Sequence, residues 1–310
     1  MIEDYILTVN DLIKTYGEYT ALDRISLKVP RGAIYGLLGP NGAGKTSLIR
    51  IINQISFPDS GQILFNQELL NKNHIHQIGY LPEERGLYKS MKVGEQALYL
   101  AKLKGMKSKH AKKELMWWFE KFDIVPWWNK KIQELSKGMA QKVQFIVTVA
   151  HRPELLILDE PFSGFDPVNA NLIKDEILSL NKQGTTIIFS THRLESVDEI
   201  CNHMVLINQS KKLKEGEINT IKKESRTKDY RLAIKTEKEI ELKEKMAKFG
   251  MFESVDFFSI DNELQYEIHL DKEINPNDFL SEILNYGTIV AFSEKIPTVK
   301  DIFIKAVQST

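Results

Sequence analysis

Gly39-Pro40-Asn41-Gly42-Ala43-Gly44-Lys45-Thr46 is a complete G-x-x-x-x-G-K-[ST] phosphate loop, set between the apolar run 33–38 and the helix-like stretch 47–52. That setting supplies a mechanism. A strand delivers the chain to a turn whose glycines let backbone N–H groups close on phosphate oxygens, and the positive end of the following helix adds to the field. These residues and Ser47 are the expected phosphate-contacting set, with Lys45 reaching the β- and γ-phosphates and Thr46 ligating Mg²⁺. The implied ligand is a nucleoside triphosphate.

A chain of 310 residues with 42% hydrophobic content is long enough for one large or two modest domains. Its 42 acidic and 42 basic residues cancel, so bulk electrostatics do not favour nucleic acid, and a polyanion partner would need a local patch. Cys201 is the single cysteine, which excludes an intramolecular disulfide framework and fits a buried thiol in a reducing cytosol. The first residues are acidic rather than a basic leader, and the longest apolar stretches, 145–150 and 155–158, fall far short of the roughly 18 residues of a membrane span. Action at a membrane would need spanning helices from another chain.

From residue 5 to about 218, strand-like runs (6–9, 26–29, 34–38, 155–158, 186–189, 204–207) alternate with helical ones. With the phosphate loop, this predicts an α/β layered core around a mainly parallel sheet. Between about 88 and 142 helical periodicity takes over, so a helical subdomain is inserted there, its small core expected to hold most of Trp117, Trp118, Trp127 and Trp128. The charged stretch 211–229 reads as a boundary, dividing a first domain, 1–225, from a second, 226–310. The second reads strand (230–235), helix (238–249), strand (252–260), strand (264–270), helix (276–284), strand (288–292) and a final helix (298–307). This βαββαβ order is that of a ferredoxin-like α+β module. His269 reads as a solvent-facing strand residue in it.

Leu155-Leu156-Ile157-Leu158-Asp159-Glu160-Pro161 is an apolar strand ending in two carboxylates, the form of a Walker B segment. Asp159 at the strand end can hold Mg²⁺ through water, while Glu160 faces the γ-phosphate and can polarise an attacking water as general base. Leu135-Ser136-Lys137-Gly138-Met139-Ala140-Gln141-Lys142 precedes it by a short helix. Order and spacing together resemble the ATP-binding subunit of an ABC (ATP-binding cassette) transporter, whose signature is Leu-Ser-Gly-Gly-Gln. This chain departs from it at Lys137 and Met139, a Ser-Lys-Gly-Met form familiar among exporters related to bacterial drug and sodium efflux systems. Ser136 and the Gly138 backbone, at a helix N-terminus, can donate to a γ-phosphate. In the family that phosphate belongs to the other protomer, so Ser136, Lys137, Gly138 and Met139 are expected to act in trans.

The resemblance implies further roles. Tyr16 stands where the family stacks an aromatic on adenine; Ser163-Gly164-Phe165-Asp166-Pro167 looks like the D-loop, with Asp166 at the dimer interface; His192, after Ser190-Thr191, resembles the switch histidine that contacts the γ-phosphate. Glu83 occupies the position of the Q-loop glutamine, where a carboxylate can still ligate Mg²⁺ or orient water but adds negative charge beside phosphates. The segment Pro82-Glu83-Glu84-Arg85-Gly86-Leu87-Tyr88 resembles the sodium-extrusion branch, and the tail resembles a small accessory domain often appended there.

The expected machine is a homodimer or heterodimer enclosing two ATP molecules, each with Mg²⁺ and each between one phosphate loop and the opposite signature. Hydrolysis would open the dimer and drive a separate integral-membrane permease, exporting sodium or a drug from the cytoplasmic face of the cell membrane. A soluble relative that remodels ribosomes or DNA is the other reading, disfavoured because such proteins commonly carry two cassettes or a long coiled coil. No nucleic acid partner is expected, and Lys45, Asp159, Glu160 and His192 speak against a catalytically silent cassette.

Overall fold

The computed structural model describes residues 4–84, 86–255, 263–271 and 273–308. The chain divides into two compact units, one running to Asn219 and including residues from Phe303 onward, the other Thr220–Ile302.

The first unit opens with β1 (Tyr5–Tyr16) and β2 (Tyr19–Pro30), then β3 (Ile34–Leu38) and α1 (Lys45–Ile52). After β4 (Ser60–Phe65), β5 (Glu68–Leu69) and β6 (Ile78–Leu81) come three helices, α2 (Val93–Leu103), α3 (Ser108–Lys121) and α4 (Lys137–Val149). The chain returns through β7 (Leu155–Asp159), α5 (Pro167–Lys182), β8 (Thr186–Thr191), α6 (Leu194–Ile200), β9 (His203–Asn208) and β10 (Lys211–Glu217); α7 (Ile218–Glu224) begins at its end, with residues from Thr220 onward assigned to the second unit.

These strands form two sheets. One is six-stranded, ordered β10-β9-β3-β8-β7-β6, parallel throughout except for β10. β3, β7 and β8 are buried at every position, as strands covered on both faces must be. The other sheet, β2-β1-β4-β5, is antiparallel. The runs 6–9 and 26–29 therefore belong to this second layer and not to the parallel sheet. Leu48, Ile49, Ile51 and Ile52 of α1 join both sheets in one apolar core with Leu7 and Val9 of β1, and Val205 and Ile207 of β9. Each such side chain contributes about 1.5–3 kcal/mol when fully buried.

The charged stretch 211–229 is not a featureless boundary, because its first residues form β10, paired antiparallel with β9 with one register shift between Lys212 and Lys214. Lysines and glutamates suit a sheet edge, where they discourage pairing with another chain. The helical insert packs Trp118, Phe119 and Phe122 of and after α3 with Phe145 of α4, while Trp128 makes an edge contact with Phe119 and lies against Gly94. Trp117 is half exposed, outside that core.

The second unit contains β11 (Asp229–Lys235), α8 (Glu239–Met246), β12 (Gly250–Ser254), β13 (Leu264–Leu270), α9 (Pro276–Ile283) and β14 (Thr288–Glu294), with α10 (Val299–Gln308) running out of it. Its sheet is antiparallel in the order β12-β13-β11-β14, which is the ferredoxin-like arrangement. Leu242, Met246, Phe279 and Ile283 of the helices pack on Leu232, Ile234, Tyr266 and Ile268 of the strands. Residues 256–260 of the expected strand 252–260 lie outside the described residues. His269 faces outward as expected, its Nδ1 2.6 Å from Asp229 Oδ1. Among the described residues no helix is long and apolar enough to cross a membrane.

Candidate active site

The phosphate loop joins β3 to α1 at the carboxyl end of the parallel strands, where open α/β sheets place their ligands. Two of its glycines are sterically required. Gly39 and Gly44 have φ of 156° and 109°, and a Cβ on either would run into a backbone carbonyl, of Ile207 and Ala21 respectively. Gly44 caps α1 without supplying a side chain, which leaves the first-turn N–H groups to an anion. Lys45 is buried, with Nζ donating to the carbonyls of Gly39 at 2.7 Å and Pro40 at 3.0 Å. Burial lowers its pKa, opposed by the nearby charges of Glu160, Asp159 and Glu83. Thr46, on the first turn of α1, is exposed.

Asp159 ends β7 opposite Ser190 of β8 and is itself buried. Burial raises its carboxyl pKa; the Ser190 hydroxyl and Lys45 lower it, while Glu160 and Glu83 push it further up. Placing the next residue in the left-handed region, φ 49°, turns Glu160 out of the strand line. Its carboxylate is then gripped from one side: Oε1 accepts from the His192 backbone N at 2.7 Å and lies 2.6 Å from His192 Nδ1, and Oε2 accepts from Thr191 Oγ1 at 3.1 Å. His192, expected to turn toward a γ-phosphate, directs its ring nitrogen to Glu160.

The structure gathers Lys45, Asp159, Glu160, His192 and the exposed Glu83 into one electrostatic neighbourhood. It sets the signature residues differently. Ser136 caps α4, its Oγ accepting from Met139 N at 3.3 Å, and remains exposed together with an open space beside Gly138. Lys137 lies over Gly164 so closely that a Cβ there would overlap its side chain, and Gln141 Nε2 donates to Ser163 O. Signature helix and D-loop are thus bonded within one protomer. Asp166 caps α5 through Asn169, whose backbone and side-chain N–H groups hold its carboxyl below the usual range.

Tyr16 ends β1 about half exposed, with Lys14 Nζ 5.4 Å from its ring centroid. A neighbouring ring escaped the sequence reading. Tyr19, across the tight turn, donates its hydroxyl to Gly42 O at 2.5 Å and so ties the antiparallel sheet to the phosphate loop. The only signal in the sequence was its closeness to Tyr16.

A glycine-rich turn between a buried strand and a helix, with a second strand ending in paired carboxylates, defines a phosphate-loop nucleotidase. The model described as "ABC transporter" matches residues 22–163, and that described as "ATP-binding protein DrrA1-3-like, C-terminal domain" matches residues 216–307. The uncharacterised ABC transporter ATP-binding protein YhaQ of Bacillus subtilis is 48% identical over 70% of this chain and 73% of its own. The bacitracin transport ATP-binding protein BcrA of Enterococcus faecalis is 31% identical over 93% of this chain and 99% of its own. A solved structure described as the ATP binding subunit of an ABC transporter superposes with a TM-score of 0.66 at 28% identity, covering 71% of this chain and 93% of the other. The chain belongs to the ATP-binding subunits of ABC transporters, a family of ATPases.

Proposed function

We propose that two copies of this chain, or one copy and a paralogue, close head to tail on two ATP molecules and drive the permease of an exporter at the cytoplasmic face of the membrane. The observation that carries this reading is the division of the chemistry. Lys45, Asp159, Glu160 and His192 share one electrostatic neighbourhood, whereas Ser136 caps the separate helix α4, is exposed, and makes its side-chain hydrogen bond to Met139 N. In this reading Gly39–Ser47 and Lys45 hold the triphosphate, Tyr16 stacks on adenine, Glu160 is the general base, and Ser136 with Gly138 completes the site of the partner protomer.

The residues present suit Mg²⁺. Thr46 offers an exposed hydroxyl at the loop, and Asp159 and Glu83 offer carboxylates, all hard oxygen donors. Among the described residues no group of three or more His, Cys, Asp or Glu is arranged to hold a metal unaided, which suits a cation that arrives with phosphate oxygens. When bound, the ion would neutralise charge on the β- and γ-phosphates. Bacitracin transport, the activity in the name of one relative, makes a peptide antibiotic or similar drug the favoured cargo.

The test is purification from membranes with ATP and Mg²⁺ using Glu160→Gln. A dimer of this chain bound to a multi-span permease is expected, and a monomer at saturating ATP, or a complex with ribosomes and no permease, would overturn the reading. Transport of bacitracin and of labelled sodium by the reconstituted complex then separates the two cargoes.

A further inference from the structure

The net charge of zero conceals one strongly polarised segment. Residues 102–113 hold six lysines and one histidine with no carboxylate. Part of this segment closes a cavity of about 360 Å³ between the α2–α3 loop and the end of α4, and its charged or titratable lining is Lys104, Lys107, His110, His151 and Arg152. No carboxylate lines it. At its rim Arg152 donates to both oxygens of Glu114, at 3.1 and 3.2 Å.

Three features mark the cavity as built for an anion. First, Lys104 is drawn inward, its Nζ donating to Ile78 O at 2.7 Å and Ile75 O at 2.9 Å, so an ammonium is fixed at the base by carbonyls and by no carboxylate. Second, His151 places Nε2 3.4 Å from Ile78 O, while its Nδ1 is buried without a hydrogen-bond partner. A buried, unpaired ring nitrogen is costly unless something reaches it. Third, the 14-residue helix α3 starts at the cavity with no side-chain cap and no acidic residue in its first turn. Lys107, Lys109 and His110 instead crowd its positive end, an arrangement opposed by the helix dipole. An anion at this place would answer the first and the third.

We propose that the cavity binds a phosphate oxyanion, either free or on the head group of an anionic lipid. Its volume lies at the lower end of small-ligand sites, roughly 300–1,000 Å³, and admits a phosphate with a short ester. Lys107 and His110 would contact the oxygens at the mouth, and His151, which also lines the cavity, would report their arrival.

The test uses the full chain with its phosphate loop filled by a non-hydrolysable ATP analogue, so that the nucleotide site does not report. Histidine ring signals are followed by NMR during titration with inorganic phosphate, and co-sedimentation is measured with phosphatidylcholine vesicles with or without phosphatidic acid. Binding is expected in at least one arm, weakened about ten-fold or more in the surface double variant K107Q/H110Q, a loss of about 1.4 kcal/mol. Saturable shifts of His151 with phosphate identify a free oxyanion; a response to phosphatidic acid vesicles alone identifies a lipid head group. Silence in both arms overturns the proposal. So does vesicle binding that survives K107Q/H110Q but is lost in K112Q/K113Q, which would be surface charge and no site.

Discussion

The Glu160 carboxylate owes its aim to groups one strand away: Thr191 and His192 donate to its two oxygens, and its own N–H donates to Ser190 O at 2.9 Å. In the proposed role of general base, a carboxylate so restrained needs no rotamer search when a water arrives. Glu160→Gln keeps the shape and removes the basicity, so ATPase turnover should fall about 10²–10⁴-fold while ATP affinity is retained. Equal turnover in the variant would remove Glu160 from the role. His151 yields a prediction with a sign. Burial, with Lys104 nearby, lowers its pKa to about 4 from 6.5, so between these values the unfolded chain binds the proton and the native chain does not. Stability should therefore rise with pH across that window, by at most about 3 kcal/mol from this group. Thermal melts at pH 4.5 and 7 measure it, and His151→Gln should flatten the difference.

Among elements, the helical insert shows how packing overrides propensity. Gly94 sits in the first turn of α2, where alanine would ordinarily gain up to about 1 kcal/mol. A Cβ there would overlap the indole of Trp128, whose carbonyl also accepts from Gly94 N at 2.9 Å. Overpacking costs about 1–3 kcal/mol, so Gly94→Ala should lower the melting temperature and alter tryptophan fluorescence. The same distinction separates what the sequence made legible from what it did not. The phosphate loop and the segment 155–161 are contiguous and carry their chemistry in their spelling, so the parallel core and the candidate site are both legible in the sequence. Tyr19 on Gly42, Lys137 over Gly164, and the membership of β1 and β2 in a separate sheet depend on tertiary register, which no short window encodes. β10 is not legible in the sequence because an edge strand is written in the same charged residues as a linker.

On the scale of the whole molecule, two units with separate cores need not melt together. The candidate nucleotide site, Gly39–Ser47 with Asp159, Glu160 and His192, lies wholly in the first. Calorimetry should resolve two transitions, and ATP with Mg²⁺ at 100 times Kd should stabilise only one, by about 2.7 kcal/mol. A single transition that shifts as a whole would show that the units are energetically one.

α4 spans 13 residues, about 20 Å at 1.5 Å per residue. Its first residues bear the signature, Lys137 and Gln141 engage the D-loop, Gln144 lies 3.4 Å from Glu84 O beside Glu83, and Thr148 shares its hydroxyl with Gln144 O and Tyr80 O. The D-loop, the Glu83 loop and strand β6 are therefore keyed to one shaft. In the dimer proposed above, a turn of that shaft would advance all of them in step, so a pull arriving at the Glu83 loop would be felt at the D-loop and at the partner's nucleotide in the same stroke. In that proposed assembly, the gearing between two fuel sites and one load would be set by a single helix.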